Sequence, residues 1–569
     1  MVLFFLPPCL PKGTSRILIR APFIESDDCR SSEKVESVRP TEFLCQILQF
    51  AVGQDGVKAL LPFTRVSAHW RRAALGDSSL WTTIRLSQTT PPLLDMILAH
   101  AGVQLFSIHI DHDDLGRLPK LWELVDRMEE LHCSDGLQQL VEILPSLGAA
   151  PNLKVLRLQP GIQGLPAIFS GSLPSLRHLT LTEVIFWPPG LFKGLVSFEC
   201  GALEMSPLSP VHLMNVLKDS PSIEYVRLAG ICGKTTLPTV NLPSLKKCTL
   251  TGHGTTVLIW SMTVPASAHV SLDKSYMSFG DTFPKFDNHS GAPGLRVLDK
   301  VSAVSVSIDD YAVQIQAKNA RGGIFISKEH DLYTFSRDPA RFGPFIRSSF
   351  DYGRTCPGFQ STKEFTLDVE RGKIWQPKEA TDFAFDVFGF LSGLPSVEDV
   401  KLRGVPPREL ASILEFLRRP PEFGVPCPNL KRLHVESTPF RSPWSLLESL
   451  GNLASSRKEV GAPLRSLTVK MKCEKLIPVA DHCALLNTWA GLVGEGVRLE
   501  YERTKVKKIP RCPRYNYPEE DYEDDESENQ DVGYQDECEV VSDNPRECYI
   551  GWSGWPEKWP KTVGEMRGR

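Results

Sequence analysis

The sequence predicts an α/β chain in which a short module of three helices precedes a curved repeat solenoid. Three observations favour this fold class: helical spacing of apolar residues near the N-terminus, a six-residue apolar signature that recurs along most of the chain, and an acidic run near the C-terminus. The predicted parts are a disordered leader over residues 1–35, the helical module over 36–86, the solenoid over 87–500, and a basic, then acidic, mostly disordered tail over 501–569.

Composition restricts the functional classes. The chain has 569 residues, 41% of them hydrophobic, and a net charge of −4, which allows a large core and argues against a dedicated nucleic-acid binder. The 14 cysteines form no Cys-x-x-Cys pair, so we expect reduced thiols, as in a cytoplasmic or nuclear protein, and no zinc site. The opening "MVLFFLPPCLPKG" lacks a basic segment, and no window is apolar enough for a membrane helix, so neither a signal peptide nor a membrane partner is expected.

The first helix of the module is predicted from apolar spacing. Pro40 suits a first helical turn, Glu42 lies near the positive end of the helix, and Gly53 and Gly56 bracket its expected end. The apolar residues that share one predicted face are Phe43, Leu44, Ile47, Leu48 and Ala51.

Two further short helices complete the predicted module. An apolar segment covers residues 57–63, and a third helix carries Val66 and Trp70 at a spacing of four. Residues 80–86, "LWTTIRL", are rich in β-branched residues and predict a strand. We expect Trp70 to fill the centre of the helical cluster and Trp81 to close it, because tryptophan brings a large apolar area.

This segment resembles the F-box, in the F-box-like form common in large fungal families. The matching positions, within residues 38–86, are Pro40, Glu42, Phe43, Leu44, Ile47, Leu48, Val66, Trp70, Arg71, Leu80 and Trp81. Two positions depart from the family pattern: Arg39 stands where the family has Leu, and Ser67 where it has Cys.

The resemblance implies docking to the Skp adaptor of cullin–RING ubiquitin ligases, through a few apolar anchors of a helix. The residues implied to face the adaptor are Pro40, Leu44, Ile47 and Leu48. Those implied to form the module core are Phe43, Val66, Trp70, Leu80 and Trp81. Arg39 favours an alternative, a non-ligase interaction scaffold whose module no longer binds the adaptor.

A degenerate Leu-x-x-Leu-x-Leu signature recurs nine times after the module. The copies are "MEELHC" from residue 128, "LKVLRL" from 153, "LRHLTL" from 176, "LVSFEC" from 195, "IEYVRL" from 223, "LKKCTL" from 245, "VEDVKL" from 397, "LKRLHV" from 430 and "LRSLTV" from 464. Stretches with helical periodicity lie between several copies. This pattern is typical of leucine-rich repeats, with parallel strands inside a curved solenoid and helices outside. We expect its surface to bind a target protein that the sequence does not identify.

The period is lost over residues 252–378, where we expect irregular repeats and long inserted loops such as residues 336–360. The stretches "SAVSVSIDD", "YAVQIQAKN" and "GGIFISKEH" still predict strands, and Leu295 and Phe365 are candidate starts of degenerate repeats. An enzyme site in this region is a second alternative, which a pocket with converging His and carboxylate groups would support. No nucleophile or phosphate-loop motif is present, so we expect no catalytic residue and no cofactor.

The sequence favours neither a metal site nor a nucleic-acid-binding surface. The stretch "HIDHDD", residues 109–114, has the residue types of a metal cluster, but it follows a predicted strand and lacks a second ligand set at zinc spacing. A basic concave surface with exposed aromatic residues would instead indicate nucleic-acid binding.

The tail changes sign along its length. Residues 503–514 are basic, and residues 519–547 hold fourteen Asp or Glu against one Arg, a net charge of −13. Such a stretch is expected to be disordered, either as a solvated tail or lying against basic parts of the same chain. Trp552, Trp555 and Trp559 follow it, and we interpret them as a weak cap on the end of the solenoid or as a short peptide motif.

Overall fold

A computed structural model gives the fold. It describes residues 40–111, 123–134, 138–159, 164–201, 208–231, 237–252, 258–259, 261–273, 296–308, 312–329, 357–370, 380–418, 425–436, 444–473, 479–493 and 496–503. The chain divides into two compact units, Met1–Leu80 and Trp81–Arg569. The predicted leader, the predicted loop at residues 336–356, Arg39 and Leu295, and the acidic and tryptophan-rich parts of the tail lie outside the described residues.

The smaller unit is helical. Its helices are α1 (Pro40–Asp55), α2 (Leu60–Phe63) and α3 (Ala68–Gly76). Gly56 ends α1 with a φ of 71° and donates its N–H to the Val52 carbonyl at 2.8 Å, a conformation that suits glycine. Gly53, expected near the end, lies inside the helix. The buried apolar residues of this unit are Leu48, Val52, Val57, Leu60, Ala73, Ala74 and Leu80.

The larger unit contains one 17-stranded sheet and a separate parallel pair, β8 with β10. The strands are β1 (Thr83–Arg85), β2 (Phe106–Ile110), β3 (Met128–Cys133), β4 (Val155–Leu158), β5 (His178–Thr182), β6 (Ser197–Gly201), β7 (Tyr225–Ala229), β8 (Val240–Asn241), β9 (Lys247–Thr251), β10 (Met262–Thr263), β11 (His269–Asp273), β12 (Ala303–Ile308), β13 (Ala312–Lys318), β14 (Gly323–Glu329), β15 (Glu364–Val369), β16 (Asp399–Arg403), β17 (Arg432–Glu436), β18 (Ser466–Cys473) and β19 (Gly496–Arg503).

The sheet is mostly parallel and follows chain order except in its middle. Strands β1 to β7 pair in succession, followed by β9 and β11. Next come β14, β13 and β12 in reversed order, and then β15 to β19. Only the β14–β13 and β13–β12 pairings are antiparallel, so a three-stranded meander interrupts a parallel sheet.

A tight turn closes the β13–β14 hairpin of this meander. The side-chain oxygen of Asn319 accepts the N–H of Arg321 at 2.7 Å and of Gly322 at 2.8 Å. A Cβ at Gly322 would lie 2.2 Å from the Ala268 carbonyl oxygen, so glycine is required where the turn approaches this backbone.

Strand register aligns the recurring signature into apolar rows. The fourth signature position of all nine copies falls in a single row, which the other strands complete with apolar residues. In sheet order this row is Ile84, Ile108, Leu131, Leu156, Leu179, Phe198, Val226, Cys248, Val270, Ile324, Ala317, Val304, Phe365, Val400, Leu433, Leu467 and Val497. Each fully buried side chain of this size contributes about 1.5–3 kcal/mol, so the row is a major part of the core.

The described residues of the larger unit include seven further helices. They are α4 (Pro91–Ala101), α5 (Gln138–Ile143), α6 (Pro210–Lys218), α7 (Ala380–Ser392), α8 (Pro407–Arg418), α9 (Trp444–Glu459) and α10 (Val479–Ala490). Helices α7, α8 and α9 pack in succession, and Phe388 of α7 stacks on Phe416 of α8 with ring centroids 4.4 Å apart. No helix in the described part of the chain has the length and apolarity needed to cross a membrane.

The predicted class, a mixed α/β chain with parallel strands, is confirmed by the large sheet. The three strands expected from the irregular middle are present as β12, β13 and β14, and Phe365 lies in β15. The strand expected over residues 80–86 is shorter: only Thr83–Arg85 is extended, and Ser78–Trp81 forms a 3₁₀ turn. Trp81 and β1 belong to the larger unit, because the boundary between the units follows Leu80.

Candidate docking site

Helix α1 presents apolar side chains on two faces. Leu48 and Val52, four residues apart, are buried in the core of the helical unit. Phe43, Ile47 and Phe50 follow a second face at spacings of four and three. Phe43 is 53% exposed and Phe50 59% exposed, while Ile47 is half-buried. We call these three residues the α1 stripe.

The α1 stripe is a candidate docking site because its exposure is unusual for its composition. Isolated exposed apolar residues are common on protein surfaces, but three aligned on one helix face form a contiguous apolar strip. This is the arrangement by which a helix binds an apolar groove of a partner, with anchors at helical spacing.

Helix α3 is held by local hydrogen bonds. The Ser67 side chain caps the helix by accepting the N–H of Trp70 at 3.3 Å. Arg71 donates its Nε–H to the Thr64 carbonyl at 2.9 Å. Ser67, the departure from the family's Cys, therefore has a structural role, because a hydroxyl accepts a capping hydrogen bond better than a thiol.

Trp70 packs at the edge of the helical unit. It is half-buried and stacks on Phe63, with ring centroids 5.3 Å apart and an interplanar angle of 12°. Trp81 is fully buried in the larger unit, where it stacks on His100 with ring centroids 4.8 Å apart. This ring contact places Trp81 against α4 of the larger unit.

The structure corrects three of the predicted site residues. Leu48, expected to face the adaptor, is fully buried. Phe43 and Val66, expected in the core, are 53% and 55% exposed. The apolar periodicity identified α1 correctly, but two apolar faces share this helix and spacing alone does not say which one is buried.

The other predicted residues divide as follows. Leu44, Ile47 and Trp70 are half-buried, and Leu80 and Trp81 are buried. The side chain of Pro40 is not among those that the structure describes. Phe50 was missed from the sequence, although its position seven residues after Phe43 is a helical repeat that indicates the same face.

A second apolar row, formed by the sixth signature position, lies two residues after the first, and the side chains between the two rows point to the opposite face of the sheet, which is polar on the signature strands. On β2 and β3 the rings of His109 and His132 stack with centroids 4.4 Å apart. Glu130 accepts a hydrogen bond from Ser107 at 3.0 Å and lies 3.4 Å from His132 Nε2. Burial, followed by the charges of His132 and Arg85, lowers the pKa of His109 to about 4.

The C-terminal strands carry ion pairs on the same face. Arg432 of β17 makes a bidentate pair with Asp399 of β16. On β19, Arg498 Nε lies 2.6 Å and Lys470 Nζ of β18 lies 3.9 Å from Glu500. Arg432 is thus paired one to one, whereas Arg498 and Lys470 share the single carboxylate of Glu500, so this part of the face is polar and carries charges of both signs.

The metal alternative at residues 109–114 is not supported where the structure describes it. Asp111 accepts hydrogen bonds from Ser87 at 2.7 Å and from Ser134 at 3.2 Å. Residues 112–114 lie outside the described part. Among the described residues, no group of three His, Cys, Asp or Glu side chains is placed to hold a metal ion.

Comparison with known proteins adds no relative. No family model matches the sequence, and a search of the curated proteins finds no match.

Proposed function

We propose that this chain is a substrate receptor of a cullin–RING ubiquitin ligase. In this proposal the helical unit is an F-box-like module that binds the Skp adaptor, and the larger unit is a leucine-rich repeat solenoid that binds a target protein. The chain has no chemistry of its own; it tethers the target near a ligase that transfers ubiquitin, and so raises its local concentration.

One observation carries the proposal: the helix that bears the F-box-like pattern also bears the exposed α1 stripe. Apolar surface in contact with water is unfavourable, and a partner that covers the stripe would gain about 25 cal/mol for each Å² of apolar area removed from water. The docking residues proposed are therefore Phe43, Ile47 and Phe50, with half-buried Leu44 beside them and without Leu48.

The target-binding part of the proposal is supported by the nine signature copies, whose strands each carry a polar side chain at the fifth signature position, on the face opposite the apolar row. Side chains at alternate strand positions point out of this face, so a repeat array can bind a protein without altering its apolar rows.

The decisive experiment is a titration of the full chain with a purified Skp adaptor by isothermal calorimetry. Two test variants, Ile47→Asp and Phe50→Asp, place a charge in the α1 stripe. We expect each to weaken adaptor binding at least about tenfold, because a central apolar anchor contributes more than about 1.4 kcal/mol. Gln49→Asp, an exposed polar position of the same helix, is the matched control and should bind as the unchanged chain does.

Circular dichroism establishes that all four proteins are folded. A folded, unchanged chain that does not bind the adaptor would exclude the receptor role. That outcome would favour the interaction scaffold, the alternative to which Arg39 points, in which the helical unit serves only as structure.

A further inference from the structure

The last repeat of the larger unit buries its apolar side chains only in part. Val497 and Leu499 of β19 continue the two apolar rows of the sheet, yet both are half-buried. Their neighbours on β18, Leu467 and Val469, are fully buried. At the opposite end of the same row, Ile84 of β1 is fully buried. The sheet core is therefore closed at β1 and open at β19.

Helix α10 shows the same asymmetry. Its inner side packs on α9, where Trp489 contacts Gly451 so closely that a Cβ at that glycine would lie 3.0 Å from the indole nitrogen. Lys458 of α9 donates to the Gly491 carbonyl at 2.8 Å. By contrast, Leu485, Leu486 and Leu492 are half-buried.

Together, α10 and β19 form what we call the terminal apolar surface: Leu485, Leu486, Leu492, Val497 and Leu499. The corresponding leucines of the preceding repeat, such as Leu446 and Leu450, are at most 3% exposed. Among the described residues, β19 pairs with β18 alone, so the last repeat has a strand neighbour on one side only. Repeat arrays need a cap at such an end.

We propose that the tryptophan-rich segment of this chain, residues 548–560 ("CYIGWSGWPEKWP"), covers the terminal apolar surface. Trp552, Trp555 and Trp559 provide three indoles within eight residues, and each indole buries roughly 150–250 Å² when it packs. This apolar content matches half-buried leucine and valine side chains, which offer no charged group for a polar ligand.

Chain connectivity favours this segment over other occupants. It follows β19 on the same chain, and 48 residues lie between Arg503 and Trp552. Loop-closure entropy rises only slowly with loop length, so a connection of this length still gives the segment a high effective concentration at the surface.

Charge disfavours a second copy of the chain as the occupant. Each copy carries the segment 519–547, with a net charge of −13, directly between the last strand and the tryptophans. An end-to-end dimer would bring two such segments together, and their repulsion would oppose association.

Hydrogen exchange on the full chain tests the proposal. Replacing Trp552, Trp555 and Trp559 together by Ala should speed amide exchange in α10 and β19 at least about tenfold, because uncovered terminal elements open more often. Exchange in β4 and β5 should be unchanged and serves as the internal reference. The matched control replaces Tyr515, Tyr517 and Tyr522 by Ala, which removes three aromatic residues from the same tail and should leave α10 and β19 unaffected.

Adding the segment as a separate peptide tests whether the segment itself, and not another consequence of the substitutions, protects α10 and β19 from exchange. A synthetic peptide of residues 548–560, added to the triple-Trp variant, should restore slow exchange, and the same peptide with its three Trp replaced by Ala should not. Equal exchange of α10 and β19 in the unchanged chain and the triple-Trp variant would overturn the proposal. Protection that rises with protein concentration, with a dimer in light scattering, would also overturn it in favour of a second copy.

Discussion

The helical unit and the sheet unit differ in how completely they bury their apolar side chains. In the sheet unit the apolar row is buried from Ile84 to Leu467. On the last strand, β19, Val497 and Leu499 are only half-buried. In the helical unit one helix carries two apolar faces, and only the face that holds Leu48 and Val52 is used for folding. Three short helices do not have enough surface to cover both faces.

The distribution of exposed apolar side chains follows the same division. The described residues include seven large apolar side chains that are exposed, and three of them, Phe43, Phe50 and Val66, lie in the small helical unit. Several cations on the C-terminal strands of the sheet, in contrast, lie beside carboxylates of the same chain, as Arg432 does beside Asp399. The exposed apolar side chains of α1 are the surface that we propose a partner covers.

The largest effect should come from truncating a side chain on the buried face of α1, compared with a truncation on its exposed face. Leu48→Ala removes a fully buried side chain and should destabilise the helical unit by about 3 kcal/mol, while Phe50→Ala should change stability by less than about 0.5 kcal/mol. Urea unfolding monitored by hydrogen exchange of residues 40–80 measures both. Similar losses in the two variants would show that Phe50 also supports the fold and would remove the distinction between the faces.

A buried cation in the sheet unit should matter nearly as much. The guanidinium of Arg457 is held by backbone carbonyls, with bonds of 3.2 Å to Ala462, 3.1 Å to Pro426 and 3.1 Å to Cys427. Arg457→Met leaves these carbonyls without that donor, so the unfolding free energy should fall by about 2–3 kcal/mol in chemical denaturation.

The control for Arg457 is an exposed arginine. Arg418 of α8 lies 3.5 Å from Glu415 one turn away, and both side chains are well exposed. Arg418→Met should change stability by less than about 0.5 kcal/mol, because exposed helix pairs contribute little. A loss as large as that of Arg457→Met would contradict the role given to buried carbonyls.

Acid should destabilise the sheet unit through two half-buried histidines. The pKa of His109 is lowered to about 4, and burial lowers the pKa of His178 to about 4, against 6.5 for an ordinary histidine. Between these values the unfolded chain binds more protons than the folded one, so stability is full above about pH 6.5 and falls as the pH drops toward 4.

The groups that face His109 in this titration are His132, Arg85, Glu130 and Asp111. Replacing His178 by Gln removes one titrating group. Between pH 6.5 and pH 4.5 the unfolding free energy should therefore fall by about 2 kcal/mol less than in the unchanged chain, which is measured as a smaller drop in melting temperature. An unchanged pH profile in the His178→Gln variant would show that other groups govern the acid response.

The smallest effect concerns the cap of α3. Ser67→Ala loses the hydrogen bond to the Trp70 N–H and should cost the helical unit about 1 kcal/mol, whereas Ser67→Asp retains an acceptor and should preserve stability. Hydrogen exchange of α3 reports both variants. If Ala and Asp behave alike at this position, the side chain of Ser67 does not act as a cap.

Periodicity along the chain predicted much of the fold but not its boundaries. The nine signature copies all fall on strands, because apolar residues at alternating positions can be buried together only when the strand is paired. The reversed order of β12, β13 and β14 was not predictable from their composition, since the turn at Asn319–Gly322 makes β13 and β14 antiparallel neighbours, while the order follows from the pairing of β14 with β11 and of β12 with β15.

The sequence by itself determined where α1 lies, where the nine signature strands and the three strands of the middle region form, and that one part of the tail is strongly acidic, because these follow from local spacing and charge. Tertiary structure alone decided that Leu48 is inside and Phe43 and Phe50 are outside, that Trp81 joins the sheet unit, and that the apolar rows end uncovered at β19. The physical reason is that burial depends on which neighbour is present, and a neighbour distant in the sequence leaves no trace in local periodicity.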